Sequence, residues 1–102
     1  MTALTLPRGT EHALRELTGE ARPDLALLLV LRDAVAYRLD RLNEEQRAFE
    51  ARYGMGWDAF RDRWDAEDRE EDYSWDAERD YLEWEALVTR RRRLEDVYGW
   101  LA

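Results

Sequence analysis

Hydrophobic positions recur every three or four residues along most of this chain, the period of an α-helix. The longest run starts after Arg22-Pro23-Asp24 and continues unbroken to Tyr53. Leu25, Leu28, Leu31, Val35, Leu39, Leu42, Gln46, Phe49 and Tyr53 fall on one seam. At 1.5 Å per residue that seam is roughly 40 Å long. Pro23 sets the turn before it, and Asp24 is the expected N-cap. The first turns, Leu25-Ala26-Leu27-Leu28-Leu29-Val30-Leu31, are apolar on every side. A helix apolar all round has to be covered all round. One short preceding helix is too little cover, so a second chain is expected against Leu25, Leu28, Leu31 and Val35.

Shorter elements flank this helix. Thr2-Ala3-Leu4-Thr5-Leu6 alternates weakly and predicts a short strand stopped by Pro7. Thr10 is placed to cap a helix whose inner face carries Leu14 and Leu17, with Gly19 as its left-handed terminator. After Tyr53, Gly54-Met55-Gly56 breaks the pattern. Gly54 fits the left-handed cap, and Gly56 is nearly as good an N-cap as a hydroxyl residue. A short helix follows with Trp57, Phe60 and Trp64 on one face. The last helix is expected to start near Ser74, with Tyr81, Trp84, Leu87, Val88, Leu94, Tyr98 and Leu101 as its stripe and Arg91 snorkelling within it. The fold class expected is all-α, with long helices and one short N-terminal strand. Two parts are expected: residues 1–53 for dimerisation and residues 54–102 as an acidic, aromatic, partner-binding region.

Charge sharpens that division. The 102 residues carry a formal net charge of −8. Residues 1–53 hold nine acids and eight arginines, a net of −1, and residues 54–102 hold fifteen acids and eight arginines, a net of −7. Asp65 to Asp72 contains six acids in eight residues. Such a field opposes non-specific nucleic-acid binding and favours a basic protein partner. Arg90-Arg91-Arg92-Arg93 is the counter-example: four arginines in one helical turn. The plainer reading of that turn is favourable helix charge plus pairing with nearby acids. Every basic residue is arginine, and lysine and isoleucine are absent, which suggests a GC-rich bacterial genome. The apolar run Leu25–Leu31 is far too short for a bilayer span, which takes about 20 residues. With no leader-like segment in view, a cytoplasmic protein without membrane contact is expected.

The residues of most catalytic chemistries are missing. There is no cysteine, His12 is the single histidine, and Ser74 the single serine. Thiolate metal sites, histidine pairs and lysine-bearing phosphate loops are thereby excluded, and with Ser74 far from His12 in sequence a hydrolytic triad is not expected. The acidic run lacks the oxygen spacing and glycine of a calcium loop. No enzyme, cofactor or metal is expected.

The order of strand, short helix, turn and longer helix over about residues 1–42 resembles the ribbon-helix-helix family. It rests on Leu4-Thr5-Leu6-Pro7, Ala13-Leu14, Leu17, Gly19 and the apolar second helix. The resemblance implies a homodimer with antiparallel strands, and outward strand residues that enter the DNA major groove. Here those residues would be Ala3 and Thr5, with Arg8 just beyond. Thr5 can reach a base edge and Ala3 cannot. No arginine lies on the strand itself, so any DNA binding is expected to be weak.

A second resemblance covers about residues 48–88. Arg52-Tyr53-Gly54-Met55-Gly56-Trp57, an acidic stretch, and then Glu83-Trp84-Glu85-Ala86-Leu87 look like small prokaryotic antitoxin-type proteins with a Tyr-Gly-Met-Ser motif and a Glu-Trp-x-x-Leu helix. The departure is Gly56 in place of the serine. The resemblance implies a chain that binds and neutralises a small basic toxin. The contact surface expected from charge and aromatic content is Trp57, Phe60, Trp64, Tyr81 and Trp84, with Glu67, Asp68, Glu70 and Glu71. The competing reading is that these aromatics close the second half of the fold. The competing function is a helical scaffold or adaptor that acts only through dimerisation and protein contacts.

Overall fold

The computed structural model describes residues 5–66 and 75–101. Within them the chain forms four helices: α1 (Arg8–Thr18), α2 (Pro23–Tyr53), α3 (Trp57–Ala66) and α4 (Trp75–Trp100). No strand occurs among the described residues. Thr5, Leu6 and Pro7 belong to no regular element, and the rest of the expected strand, Thr2 to Leu4, lies outside the described residues.

The helix ends follow local backbone chemistry closely, with two corrections to the expected starts. α1 begins at Arg8, not after Thr10, and the Glu11 N–H donates to the Pro7 carbonyl at 3.0 Å. Proline has no N–H to leave unpaired at that border, so the helix extends back to it without a side-chain cap. Likewise α2 opens at Pro23 rather than from an Asp24 cap. Arg22 takes the extended conformation imposed on a residue before proline, with φ −84° and ψ 119°. Pro23 sits in the first turn, where its missing donor costs nothing. Asp24 lies in that same turn, facing the positive end of the helix and 3.0 Å from the Arg22 guanidinium. Both glycine stops form as expected. Gly19 (φ 74°) donates to Arg15 at 2.7 Å and Gly54 (φ 68°) to Glu50 at 2.8 Å. The α4 start falls one residue after Ser74, which lies outside the described residues.

α2 is the spine. α1 folds back on its beginning, with Leu14 and Ala26 buried. α4 runs antiparallel to α2, and three cross-links fix the register. Arg52 and Tyr53 meet Asp80, Arg91 meets Gln46, and Arg32 donates to the Leu101 carbonyl at 2.6 Å. α3 packs against α4. The result is a rod of 59 × 25 × 19 Å. Its core sits near the α2–α3 turn and draws on both sequence halves. Leu42, Phe49 and Tyr53 of α2 pack against Trp57, Phe60, Trp84, Leu87 and Val88.

Candidate functional site

Three features of the rod could carry function: the aromatic knot, the arginine turn of α4 and the leucine-rich end.

The knot forms because Gly54 turns the chain sharply enough to lay α3 beside the end of α2. Trp84 stacks on Phe49 with ring centroids 5.3 Å apart and on Phe60 at 5.1 Å. Trp57 lies 5.6 Å from Trp84 and 5.2 Å from Tyr81, and Trp64 stacks on Tyr81 at 4.8 Å. Phe60 and Trp84 have no accessible surface, and Trp57 keeps 7%. This burial withdraws Trp57, Phe60 and Trp84 from the surface on which charge and composition had placed them. Trp64 and Tyr81 are half-buried against the same cluster. The acids expected around them, Glu67, Asp68, Glu70 and Glu71, lie outside the described residues. The Trp84 indole nitrogen is buried and has no hydrogen-bond partner among the described residues.

Beside the knot sits a residue that sequence reading passed over. Asp80 is a buried acid, 3% exposed. One carboxylate oxygen accepts from the Arg52 guanidinium at 2.7 Å and from the Tyr53 hydroxyl at 2.5 Å. Burial pushes the Asp80 carboxyl up, but the hydrogen bonds from Tyr53 and Arg52 and the guanidinium charge outweigh it and hold the group below its ordinary value. Burial and the bond to Asp80 push the Tyr53 hydroxyl up to about 12. The one available signal was position: Asp80 lies four residues before Trp84, on the inward face of α4. Held by Arg52 and Tyr53, the buried carboxylate locks α2 to α4.

The arginine turn divides. Arg91 reaches inward, donating to Gln46 at 2.9 Å and lying 3.2 Å from the Glu95 carboxylate. Arg90, Arg92 and Arg93 are exposed and make no ion pair among the described residues. They line a cleft of about 550 Å³ between α3 and α4, together with Arg61, Glu85, Trp57, Leu82, Ala86 and Val88.

The leucine-rich end is where α2 outruns its cover. α4 reaches only to the neighbourhood of Arg32, so α1 is the main cover over the first turns. Leu25 and Leu29 are each 37% exposed, Leu31 43% and Leu17 75%. Tyr98 and Trp100, at the adjacent end of α4, are exposed as well. Of the other residues expected at a dimer interface, Leu28 is half-buried and Val35 is buried within its own chain. Thr5, Arg8 and His12 are exposed. No group of acids or histidine suited to a metal ion occurs among the described residues, and no described helix is long and apolar enough to cross a membrane.

No family model, curated protein or solved structure matches this chain. The two family resemblances therefore rest on the quoted motifs alone. In one of them the structure gives the motif residues a folding role: Tyr53 and Gly54 close α2, and Trp84 and Leu87 fill the core.

Proposed function

We propose that this chain is a non-enzymatic binding protein that acts as a homodimer joined through its leucine-rich end. The observation that carries the reading is the exposure of Leu25, Leu29 and Leu31 on the first turns of α2, before the stretch that α4 covers, together with Leu17 on the α1 helix packed there. Several large apolar side chains exposed on more than one face at one end of a small domain suit a partner that wraps that end. A second copy suits it on charge. Residues 1–53 carry a net of only −1, whereas residues 54–102 carry −7. Pairing through the first half joins near-neutral surfaces and keeps the acidic halves apart. The scaffold or adaptor reading needs nothing more.

Sedimentation equilibrium tests it. The wild type should be dimeric at micromolar concentration, and Leu29→Glu and Leu31→Glu should each shift it toward monomer. Both positions are already partly solvated, so the helices should persist by circular dichroism. A monomeric wild type counts decisively against the proposal.

The antitoxin-like reading is a narrower form of the same proposal, and exposed chemistry on α3 and α4 favours it. Asp58, Asp62, Asp65, Asp76, Glu78 and Glu83 are all exposed, and Trp75 beside them is 76% exposed. A basic toxin would meet this acidic tip rather than the buried aromatics. Weak DNA binding through Thr5 and Arg8 would be secondary to it. Co-expression with the product of the neighbouring gene checks the narrower form. A small basic protein should co-purify and should be lost on combining Asp76→Asn, Glu78→Gln and Trp75→Ala.

A further inference from the structure

We infer that the cleft between α3 and α4 binds an acidic, amphipathic peptide segment of a partner protein through Arg90, Arg92 and Arg93. The surface is distinct from the leucine-rich end and adjoins the acidic tip through the Arg61–Asp58 ion pair.

The first support is an imbalance in pairing. Arg22, Arg52, Arg61, Arg79 and Arg91 each lie within 4 Å of a carboxylate. Arg90, Arg92 and Arg93 do not among the described residues, although acids outnumber arginines 24 to 16 in the sequence. The intrahelical pairing that would explain the run holds for Arg91 alone. A locally positive site in a chain of net −8 stands out against its surroundings and steers anionic groups toward itself.

The second support is convergence. The three guanidinium-bearing residues and Arg61 line one cleft of about 550 Å³, with Glu85 the single acid on its wall among the described residues. Guanidinium groups bind carboxylates with two parallel hydrogen bonds, so a row of them suits a peptide bearing several acids.

The third support is the floor. Leu82 is 63% exposed, Ala86 is exposed, and Trp57 and Val88 contribute edges from the core. Apolar side chains of a ligand would be desolvated there, which a phosphate backbone does not supply. The negative charge on the rest of the chain also opposes a polyanion as dense as nucleic acid. Carboxylates on one face and leucine-like side chains on the other fit both parts of the cleft.

The test is fluorescence anisotropy on the full chain with three labelled probes: an amphipathic glutamate–leucine helical peptide, an oligoglutamate of equal charge, and a single-stranded oligonucleotide of similar length. The amphipathic peptide should bind saturably and more tightly than the other two. Combining Arg90→Gln, Arg92→Gln and Arg93→Gln should weaken it by about tenfold or more and flatten its salt dependence. Leu82→Ser alone should weaken the amphipathic peptide and leave oligoglutamate unchanged. All four side chains are exposed, so circular dichroism should match the wild type. Absence of saturable binding, equal binding by the triple variant, or no effect of Leu82→Ser would each overturn the inference. Tighter binding of the oligonucleotide, lost in the triple variant, would reassign the cleft to nucleic acid.

Discussion

At the residue scale the most consequential contact is the carboxylate of Asp80. It joins the end of α2 to the first third of α4 through two short hydrogen bonds. Removing one donor tests it most cleanly. Tyr53→Phe keeps the ring stacking and deletes the 2.5 Å bond. A hydrogen bond to a charged group contributes about 1.5–3 kcal/mol, so a loss of about that size is expected in urea unfolding. Acid should weaken the wild type in the same place. The folded Asp80 carboxyl is held below its ordinary value of 3.8. Its contribution is therefore complete above that value and is lost as pH falls through the lower, folded-state value. Tyr53 behaves oppositely. Its contribution is complete below its ordinary value of 10 and is lost as pH rises toward the folded value of about 12. Asp80→Asn should flatten the acid limb of the stability–pH curve; an unchanged limb would place the acid sensitivity elsewhere.

Trp84 belongs to the same scale. It is fully buried among Phe49, Tyr53, Trp57 and Phe60. Large-to-small replacement of a buried aromatic costs about 3–5 kcal/mol, a large part of the stability of so small a chain. Trp84→Ala should therefore unfold the protein or bring it close to unfolding at room temperature. Trp84→Phe should cost much less than the lost ring volume suggests, because it also removes a buried N–H that has no partner among the described residues. Denaturation midpoints of the two variants give the comparison directly.

At the element scale the helix stops are set by backbone geometry that a side chain would disturb. Gly54 has φ 68°, and a Cβ there would meet nothing within 4 Å. Any cost of Gly54→Ala is thus conformational, about 1–2 kcal/mol from the left-handed backbone alone. Gly56 differs: its φ is not positive, its surroundings are equally open, and its carbonyl accepts the first α3 bond from Phe60 at 3.0 Å. Gly56→Ser adds a capping hydroxyl and should stabilise by a few tenths of a kcal/mol, or about that. Thermal unfolding of the two variants should move in opposite directions. The pair separates the glycine that turns the chain from the glycine that merely starts a helix.

At the scale of the whole molecule, shape and charge act together. The exposed acids of α3 and of the first turns of α4 lie at the end of the rod remote from the leucine-rich end, because α4 begins beside the end of α2. If dimers join through that end, their acidic halves lie many Debye lengths apart at ordinary ionic strength, with a length of about 8–10 Å. The dimer dissociation constant should then change little between 50 mM and 500 mM salt. Strong tightening with salt would mean that the acidic halves lie side by side. Peptide binding in the arginine cleft should show the reverse, weakening steadily as salt rises.

The sequence by itself determined the helices and where they end. Local rules fix those: the spacing of apolar residues and glycine at positive φ, whereas the starts of α1 and α2, beside Pro7 and at Pro23, lie earlier than the expected caps at Thr10 and Asp24. It also carried the bare apolar stretch of α2, because no pairing of one short helix with Leu25–Leu31 could cover all its faces. Of the five weakly alternating residues behind the strand expectation, Thr5 and Leu6 form no strand, and Thr2 to Leu4 lie outside the described residues. Tertiary structure decided which aromatics were core. Spacing places Trp57, Phe60 and Trp84 on helix faces, but a helix face becomes core or surface only when another helix arrives, and that depends on the sharp turn at Gly54 and the antiparallel return of α4. Asp80 was invisible for the same reason: an acid at an inward position looks like a solvated one until Arg52 and Tyr53, 28 and 27 residues away, are brought to it. The arginine turn shows the converse. Its charge was plain in the sequence, but only the packing of α4 along α2 turns Arg91 inward to Gln46, and only α3 beside α4 leaves the other three arginines lining a cleft.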